Sequence, residues 1–174
     1  MCGFLFEFSF SELSDINNFK KGLKSISHRG PDNINFLEFQ NARMGHTRLS
    51  IIDLNQRSNQ PLTSNNLTII YNGEIFNYQE IKRELENKGY KFNTKTDTEV
   101  ILHSFDNWGA DCVSKFNGMW SFVIYNNKTK EIFASRDRFG IKPFFVFKTP
   151  NGYIFSSEIE PLTKFDYKLK INKD

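Results

Sequence analysis

The 174-residue chain has only two cysteines, Cys2 and Cys112, too few for the disulfide framework of a small secreted domain. It has no apolar run of membrane-spanning length. Nothing resembles a signal peptide either: Phe4, Leu5, Phe6, Phe8 and Phe10 are apolar, but Glu7 interrupts them and no basic segment precedes them. A formal charge of +3 is too small to point to nucleic acid or a membrane surface. His28, His46 and His103 lack metal-ligand spacing with one another or with a cysteine pair, so no metal site is expected. A reducing, cytoplasmic setting is the default expectation, and there Cys2 stays a thiol.

What is present is ordinary globular composition, 39% hydrophobic and 25% charged, with 19 phenylalanines as the exception. Most of these fall in short alternating runs, which reads as sheet-core filling rather than a base-stacking surface. The length suits one domain over residues 1–174, and no repeat, linker or low-complexity segment divides it.

Phe4, Phe6, Phe8 and Phe10 alternate with Leu5, Glu7 and Ser9 at the period of a strand. Ile16, Phe19, Leu23 and Ile26 recur at helical spacing, with Ser14 or Asp15 as the N-cap. A loop at His28–Asp32 precedes a strand over Ile34–Phe39, and another strand runs from Leu67 to Tyr71 into Asn72-Gly73. Tyr78, Ile81 and Leu85 form a helical stripe ended by Gly89; Thr98, Ile101, Phe105 and Trp108 form a second ended by Gly109. Strands follow at Met119–Tyr125, Glu131–Ser135, Phe144–Lys148 and Tyr153–Ser157, separated by turn residues. Strands in succession with two helices grouped between them predict an α+β fold.

Met1-Cys2-Gly3 carries the first chemical possibility. Removal of the initiator methionine before a small residue leaves a thiol and a free α-amine on one residue. The thiolate is the nucleophile, and an α-amine with a reference pKa of ~7.7–8.0 can serve as its base at neutral pH. By itself the tripeptide reads more simply as the start of a buried strand. Its company changes that reading. Gly45-His46-Thr47-Arg48-Leu49-Ser50-Ile51-Ile52-Asp53-Leu54 is followed by Gln60-Pro61-Leu62, by Tyr71-Asn72-Gly73-Glu74-Ile75-Phe76-Asn77-Tyr78, and by Thr96-Asp97-Thr98-Glu99-Val100. His28-Arg29-Gly30-Pro31-Asp32, Arg136–Pro143 and Phe155–Ile159 complete the series. In this order the blocks resemble the N-terminal glutaminase domain of glutamine-hydrolysing asparagine synthetases, a class II, N-terminal-nucleophile amidotransferase group, from Cys2 to about Leu162.

That resemblance implies an N-terminal-nucleophile hydrolase fold, a four-layer αββα sandwich with antiparallel sheets. It implies that Cys2 attacks the side-chain amide of L-glutamine, with Asn72 and the Gly73 backbone N–H as the oxyanion hole. Arg48 corresponds to the residue that holds the substrate carboxylate, a task suited to a planar bidentate fork. Asp97 corresponds to the acceptor of the substrate ammonium, with Glu74 nearby, and backbone around Leu49 to Ile51 lines the pocket. Local readings compete with each of these. Arg48 suits an ion pair with Asp53, Asp97 suits an N-cap near Thr98, Glu74 suits a solvated carboxylate, and Asn-Gly is a strong hairpin signal. The loops His28–Asp32 and Arg136–Pro143 read as scaffold or interdomain surface held by Arg–Asp pairs, and Cys112 as core filling.

Asn33 departs from the family, standing where an acidic residue is common. The Ser-Gly-Gly-rich phosphate loop of the family's ATP-dependent synthetase domain has no counterpart. The chain is therefore expected to need no cofactor, with ATP and Mg2+ belonging to that absent domain, supplied in cis or trans. A homodimer is compatible with the resemblance. Other acceptors, such as a sugar carboxylate, and a catalytically silent glutamine-binding module are the alternatives.

Overall fold

The computed structural model describes residues 1–167. Its strands form two antiparallel sheets. Sheet A contains β1 (Gly3–Ser9), β2 (Asn33–Glu38), β3 (Ala42–Arg48), β8 (Phe145–Thr149) and β9 (Gly152–Ser156), in the order β2-β3-β1-β9-β8. Sheet B contains β4 (Leu62–Ser64), β5 (Leu67–Ile75), β6 (Gly118–Asn126) and β7 (Ile132–Arg136), in the order β4-β5-β6-β7. Among the described residues the α-helices are α1 (Ile16–Ser25), α2 (Tyr78–Asn87) and α3 (Asp97–Trp108), with short 3-10 turns besides. Among the described residues no helix is long and apolar enough to cross a membrane.

Side-chain alternation explains the layering. Phe4, Phe6 and Phe8 of β1 meet Ile70, Val123 and Tyr125 of sheet B, making the core between the sheets. Leu5, on the other face of β1, meets Phe19 and Leu23 of α1. On the far side of sheet B, Ile69, Tyr71 and Ile75 pack with Leu85 of α2 and Ile101 of α3. The order is helix, sheet, sheet, helix, as the resemblance implied. The Phe6 and Phe155 rings stack at 5.5 Å across the β1–β9 pair. Truncating a buried ring such as Phe6 costs about 3–5 kcal/mol. The phenylalanines are mostly core, but Phe10, Phe76 and Phe139 are exposed.

Local signals act where expected. Asp15 caps α1 by accepting from Asn17 N–H at 2.8 Å, and Gly89 and Gly109 take positive φ after α2 and α3. Two of the competing local readings fail. Asn72-Gly73 is no hairpin turn, since β5 continues to Ile75 with Asn72 opposite Ser121 and Gly73 opposite Trp120. Neither residue takes the positive φ that such a turn requires. Asp97 does not cap α3; Thr96 is the N-cap and Asp97 the first helical residue.

Candidate active site

The registers carry separate sequence blocks to one end of the sandwich. Gly3 lies opposite Thr47 in the β1–β3 pair, so Cys2 sits beside Arg48 where β3 ends. The end of β5 supplies Asn72, Gly73 and Glu74, and the first turn of α3 supplies Asp97. Between them is a cavity of about 340 Å3, lined by all the residues singled out above: Cys2, Arg48, Leu49, Ile51, Asn72, Gly73, Glu74 and Asp97. That volume is at the small end of ligand sites, ~300–1,000 Å3, and suits an amino acid.

The half-buried Cys2 sulfur lies 3.4 Å from the Leu49 N–H and 3.6 Å from the Leu49 carbonyl. The Cys2 carbonyl accepts from Arg29 Nε at 2.9 Å, and Arg29 Nη1 donates to Glu158 at 2.9 Å. Arg29 packs closely under the strand: a Cβ on Gly3 would stand 2.9 Å from Arg29 Cδ. Gly30 is equally constrained, since a Cβ there would lie 2.3 Å from the Thr47 carbonyl carbon. The His28–Asp32 loop, read from sequence as scaffold, therefore positions the thiol-bearing residue directly.

Asn72 points its side chain between the sheets. Its Nδ2 is buried without a hydrogen-bond partner among the described residues. An unpaired buried donor costs about 1–3 kcal/mol, so its retention calls for a ligand. The Gly73 N–H is also unclaimed among the described residues. Phe76 N–H bonds to the Asn117 carbonyl, and Trp120 turns its own N–H and carbonyl toward Asp137. Even-numbered residues of β5 thus ladder with β6, and odd-numbered ones aim at the opposite edge. Along that edge Gln60 Oε1 takes the Tyr71 N–H at 2.7 Å and Asp97 Oδ2 takes the Ile75 N–H at 3.0 Å. The Gly73 N–H lies between them, past Leu62, where β4 begins. Only glycine fits, because a Cβ would stand 2.3 Å from the Met119 carbonyl oxygen.

Arg48 spends its fork on the loop that follows it. Nη1 donates to Asn55 O at 3.2 Å and Asn59 Oδ1 at 2.7 Å; Nη2 donates to Ile52 O at 3.2 Å and Asp53 O at 2.5 Å. Among the described residues only the Nε–H is left for a ligand, so the geometry here is not a free bidentate clamp. The proposed Arg48–Asp53 ion pair is absent as well. The Asp53 carboxylate instead accepts from Lys95 N–H at 3.0 Å and faces Arg57 at 3.6 Å.

Asp97 is buried, which raises its pKa, while the Ile75 N–H and the Tyr71 hydroxyl at 2.7 Å oppose that rise. Glu74 is exposed at the mouth. His46 is fully buried, and burial lowers its pKa to about 4, so it is neutral. A carbonyl only accepts, so Nε2 carries the proton to Tyr71 O at 3.0 Å.

Sequence reasoning missed Tyr71, Gln60, Arg29 and Lys142. Lys142 is buried and lines the cavity, with its Nζ 3.2 Å from Met1 Sδ. Burial and the Arg29 charge lower its pKa, against the raising effect of Glu74, Cys2 and Asp137. It stands there because Asp137 gathers the N–H groups of Trp120, Phe139, Ile141 and Lys142. Arg136 meanwhile donates to the Lys142 and Gly140 carbonyls, so backbone bonds hold this loop and not the expected Arg–Asp pairing. Phe139 and Ile141 are left 88% and 58% exposed. Among the described residues no group of three His, Cys, Asp or Glu side chains is arranged to hold a metal ion.

Comparison with known proteins agrees with this geometry. A putative glutamine-hydrolysing asparagine synthetase 2 of Methanocaldococcus jannaschii is 41% identical, over 87% of this chain and 33% of the relative. The glutamine-hydrolysing asparagine synthetase 1 of Bacillus subtilis is 37% identical, over 100% of this chain and 28% of the relative. The chain thus spans about a third or less of the curated relatives it matches. The glutamine phosphoribosylpyrophosphate amidotransferase of B. subtilis superposes with a TM-score of 0.79 at 23% identity, over 93% of this chain and 43% of that one. The fold is therefore the antiparallel αββα sandwich of the N-terminal-nucleophile amidotransferases. The family profile described as glutamine amidotransferase domain matches residues 1–174, and the chain belongs to that family.

Proposed function

We propose that this chain hydrolyses L-glutamine to L-glutamate and ammonia through Cys2, as the ammonia-producing part of an asparagine synthetase. The observation that carries the reading is a single cavity in which the Cys2 thiol shares walls with two unclaimed donors, Asn72 Nδ2 and the Gly73 N–H. Two such donors beside a nucleophile form an oxyanion hole, each worth ~3–4 kcal/mol in the transition state.

The steps follow from those groups. Loss of Met1 turns the Cys2 nitrogen from an amide into an amine that can take the thiol proton. The thiolate attacks the side-chain carbonyl carbon, and the carbonyl oxygen takes up negative charge facing Asn72 and Gly73. Collapse breaks the C–N bond, and the Cys2 ammonium returns a proton to the departing ammonia. Water then attacks the glutamyl thioester, releasing glutamate and restoring the thiol. Asp97 and Glu74 receive the substrate ammonium. Arg48 contributes its charge and Nε–H to the carboxylate while tying down the Leu49–Ile51 wall. None of these steps uses a metal or cofactor.

The names of the relatives, glutamine-hydrolysing asparagine synthetases, support asparagine synthesis as the use of the ammonia; the acceptor of this proposal is β-aspartyl-AMP, made by an ATP- and Mg2+-dependent synthetase domain in cis or trans. The exposed Phe139 and Ile141 beside the cavity-lining Lys142 suit contact with that domain. A cytoplasmic homodimer, without nucleic acid or membrane, fits the whole. The test is product stoichiometry. The Met1-processed chain, with its synthetase partner where required, should release glutamate and ammonia one for one from L-glutamine. Glutamine binding without either product would leave only a binding module.

A further inference from the structure

Tyr71 is tied to the site at three points. Its N–H donates to Gln60 Oε1 at 2.7 Å, its carbonyl accepts from His46 Nε2 at 3.0 Å, and its hydroxyl donates to Asp97 Oδ2 at 2.7 Å. Gln60 in turn reaches Thr98 Oγ1 at 3.3 Å, next to Asp97. This closes a buried ring from the residue before Asn72 to the first turn of α3. We propose that Tyr71 is a positioning residue that fixes the Asp97 carboxylate for the α-ammonium of the substrate, and so makes the site demand an amino acid rather than a plain amide.

The argument is one of lone pairs. A carboxylate offers about four acceptor positions, two on each oxygen. Oδ2 of Asp97 is filled by the Ile75 N–H and the Tyr71 hydroxyl, and both come from β5. That pins the carboxylate plane and leaves Oδ1 as the oxygen available to a cation in the cavity that Asp97 lines. Holding an aspartate by packing alone would not need a phenol; the hydroxyl is aimed at its acceptor from within the apolar layer around Ile69 and Ile75. A hydroxyl donating to a charged acceptor also favours the ionised form, which an ammonium ligand requires. The Tyr71 ring cannot move without disturbing Asn72 and Gly73, its neighbours on β5. The ammonium end and the reacting end of the substrate are thereby held at a fixed separation.

This inference rests on the proposed assignment of Asp97 to the substrate ammonium, and one experiment separates the two. L-Glutamine is compared with glutaramate, the same ω-amide lacking the α-amine, in wild type, Tyr71→Phe, Asp97→Asn and the double variant. KM and kcat are read from glutamate or glutarate release. Where turnover is slow, Kd is read by calorimetry in a Cys2→Ala background. Tyr71→Phe is expected to raise KM for glutamine about tenfold with kcat within about threefold, and to leave glutaramate nearly unchanged. Adding it to Asp97→Asn should cost no further discrimination. If Tyr71→Phe weakens both substrates equally, its role is structural and the inference falls alone. If Asp97→Asn keeps full preference for glutamine, the Asp97 assignment falls and takes the inference with it.

Discussion

The Cys2 sulfur is held by both backbone groups of a single residue, with the Leu49 N–H at 3.4 Å and the Leu49 carbonyl at 3.6 Å. A thiol can donate to the carbonyl and a thiolate can accept from the N–H, so either protonation state finds a partner without moving. Leu49 follows Arg48, whose guanidinium ties the next turn of chain by four bonds. The position of the nucleophile is therefore coupled to the loop over residues 49–59.

That seat sets Cys2 apart from Cys112, which is buried and whose pKa burial pushes up to about 12. Alkylation of the folded protein near neutral pH should modify Cys2 at least a hundredfold faster than Cys112. Peptide mapping after a short iodoacetamide pulse measures the ratio. Comparable labelling of both would mean that Cys2 is an ordinary buried thiol.

Asn72 Nδ2 has no hydrogen-bond partner among the described residues, so Asn72→Ala should behave unlike most buried polar substitutions. Turnover is expected to fall ~100–1,000-fold while glutamine affinity changes by less than about threefold. Stability should stay within about 1 kcal/mol, since a buried donor without a partner is removed. Steady-state kinetics and urea denaturation give both numbers. A pure binding defect would rule out the oxyanion role.

Arg48→Lys keeps the charge but cannot reproduce a planar fork reaching Ile52, Asp53, Asn55 and Asn59. KM for glutamine should rise about tenfold or more, and limited proteolysis should cleave the loop over residues 49–59 faster than in wild type. An unchanged KM with an unchanged cleavage rate would show that the loop does not depend on the guanidinium.

His46 gives a pH signature. Burial takes its pKa from the ordinary imidazole value of 6.5 down to about 4 in the folded protein. Between those values the unfolded chain takes up a proton that the folded protein refuses, so stability falls as pH drops through this window. By pH ~4.5 the loss is about 2–3 kcal/mol. Glu99 acts in a separate window, its pKa lowered to about 2 although burial opposes this, with His103, Asn93 and Thr94 holding the charged form. Its share is lost only below the ordinary carboxyl value of 4.5. His46→Gln keeps a donor for the Tyr71 carbonyl without titrating. Its urea-unfolding stability should stay flatter between pH 7 and 4.5; the same slope as wild type would assign the acid sensitivity elsewhere.

Much of the architecture was legible because local chemistry and burial agreed. The Phe4–Phe8 alternation, the Phe19–Leu23 stripe and the glycine stops after α2 and α3 all act as read. β3 was illegible because it is buried on both faces while carrying Arg43, His46 and Arg48. Its charges are satisfied by partners outside the strand: Glu7 and Glu38 for Arg43, the Tyr71 carbonyl for His46, and loop carbonyls for Arg48. No periodicity announces such pairings. The hairpin preference of the Asn72-Gly73 dipeptide gives way for a related reason, since a nine-residue strand pairing with β6 overrides a two-residue turn preference. The cavity residues were found as ordered blocks, but Tyr71, Gln60 and Lys142 came to light only once the fold brought them together.

The most direct measurement is to trap the acyl intermediate. The Met1-processed protein, quenched in acid during glutamine turnover, should carry a glutamyl group on the Cys2 peptide by mass spectrometry. Cys2→Ala should carry none and release no glutamate. A glutamyl group mapped to another residue, or glutamate release that survives Cys2→Ala at the wild-type rate, would contradict Cys2 as the nucleophile.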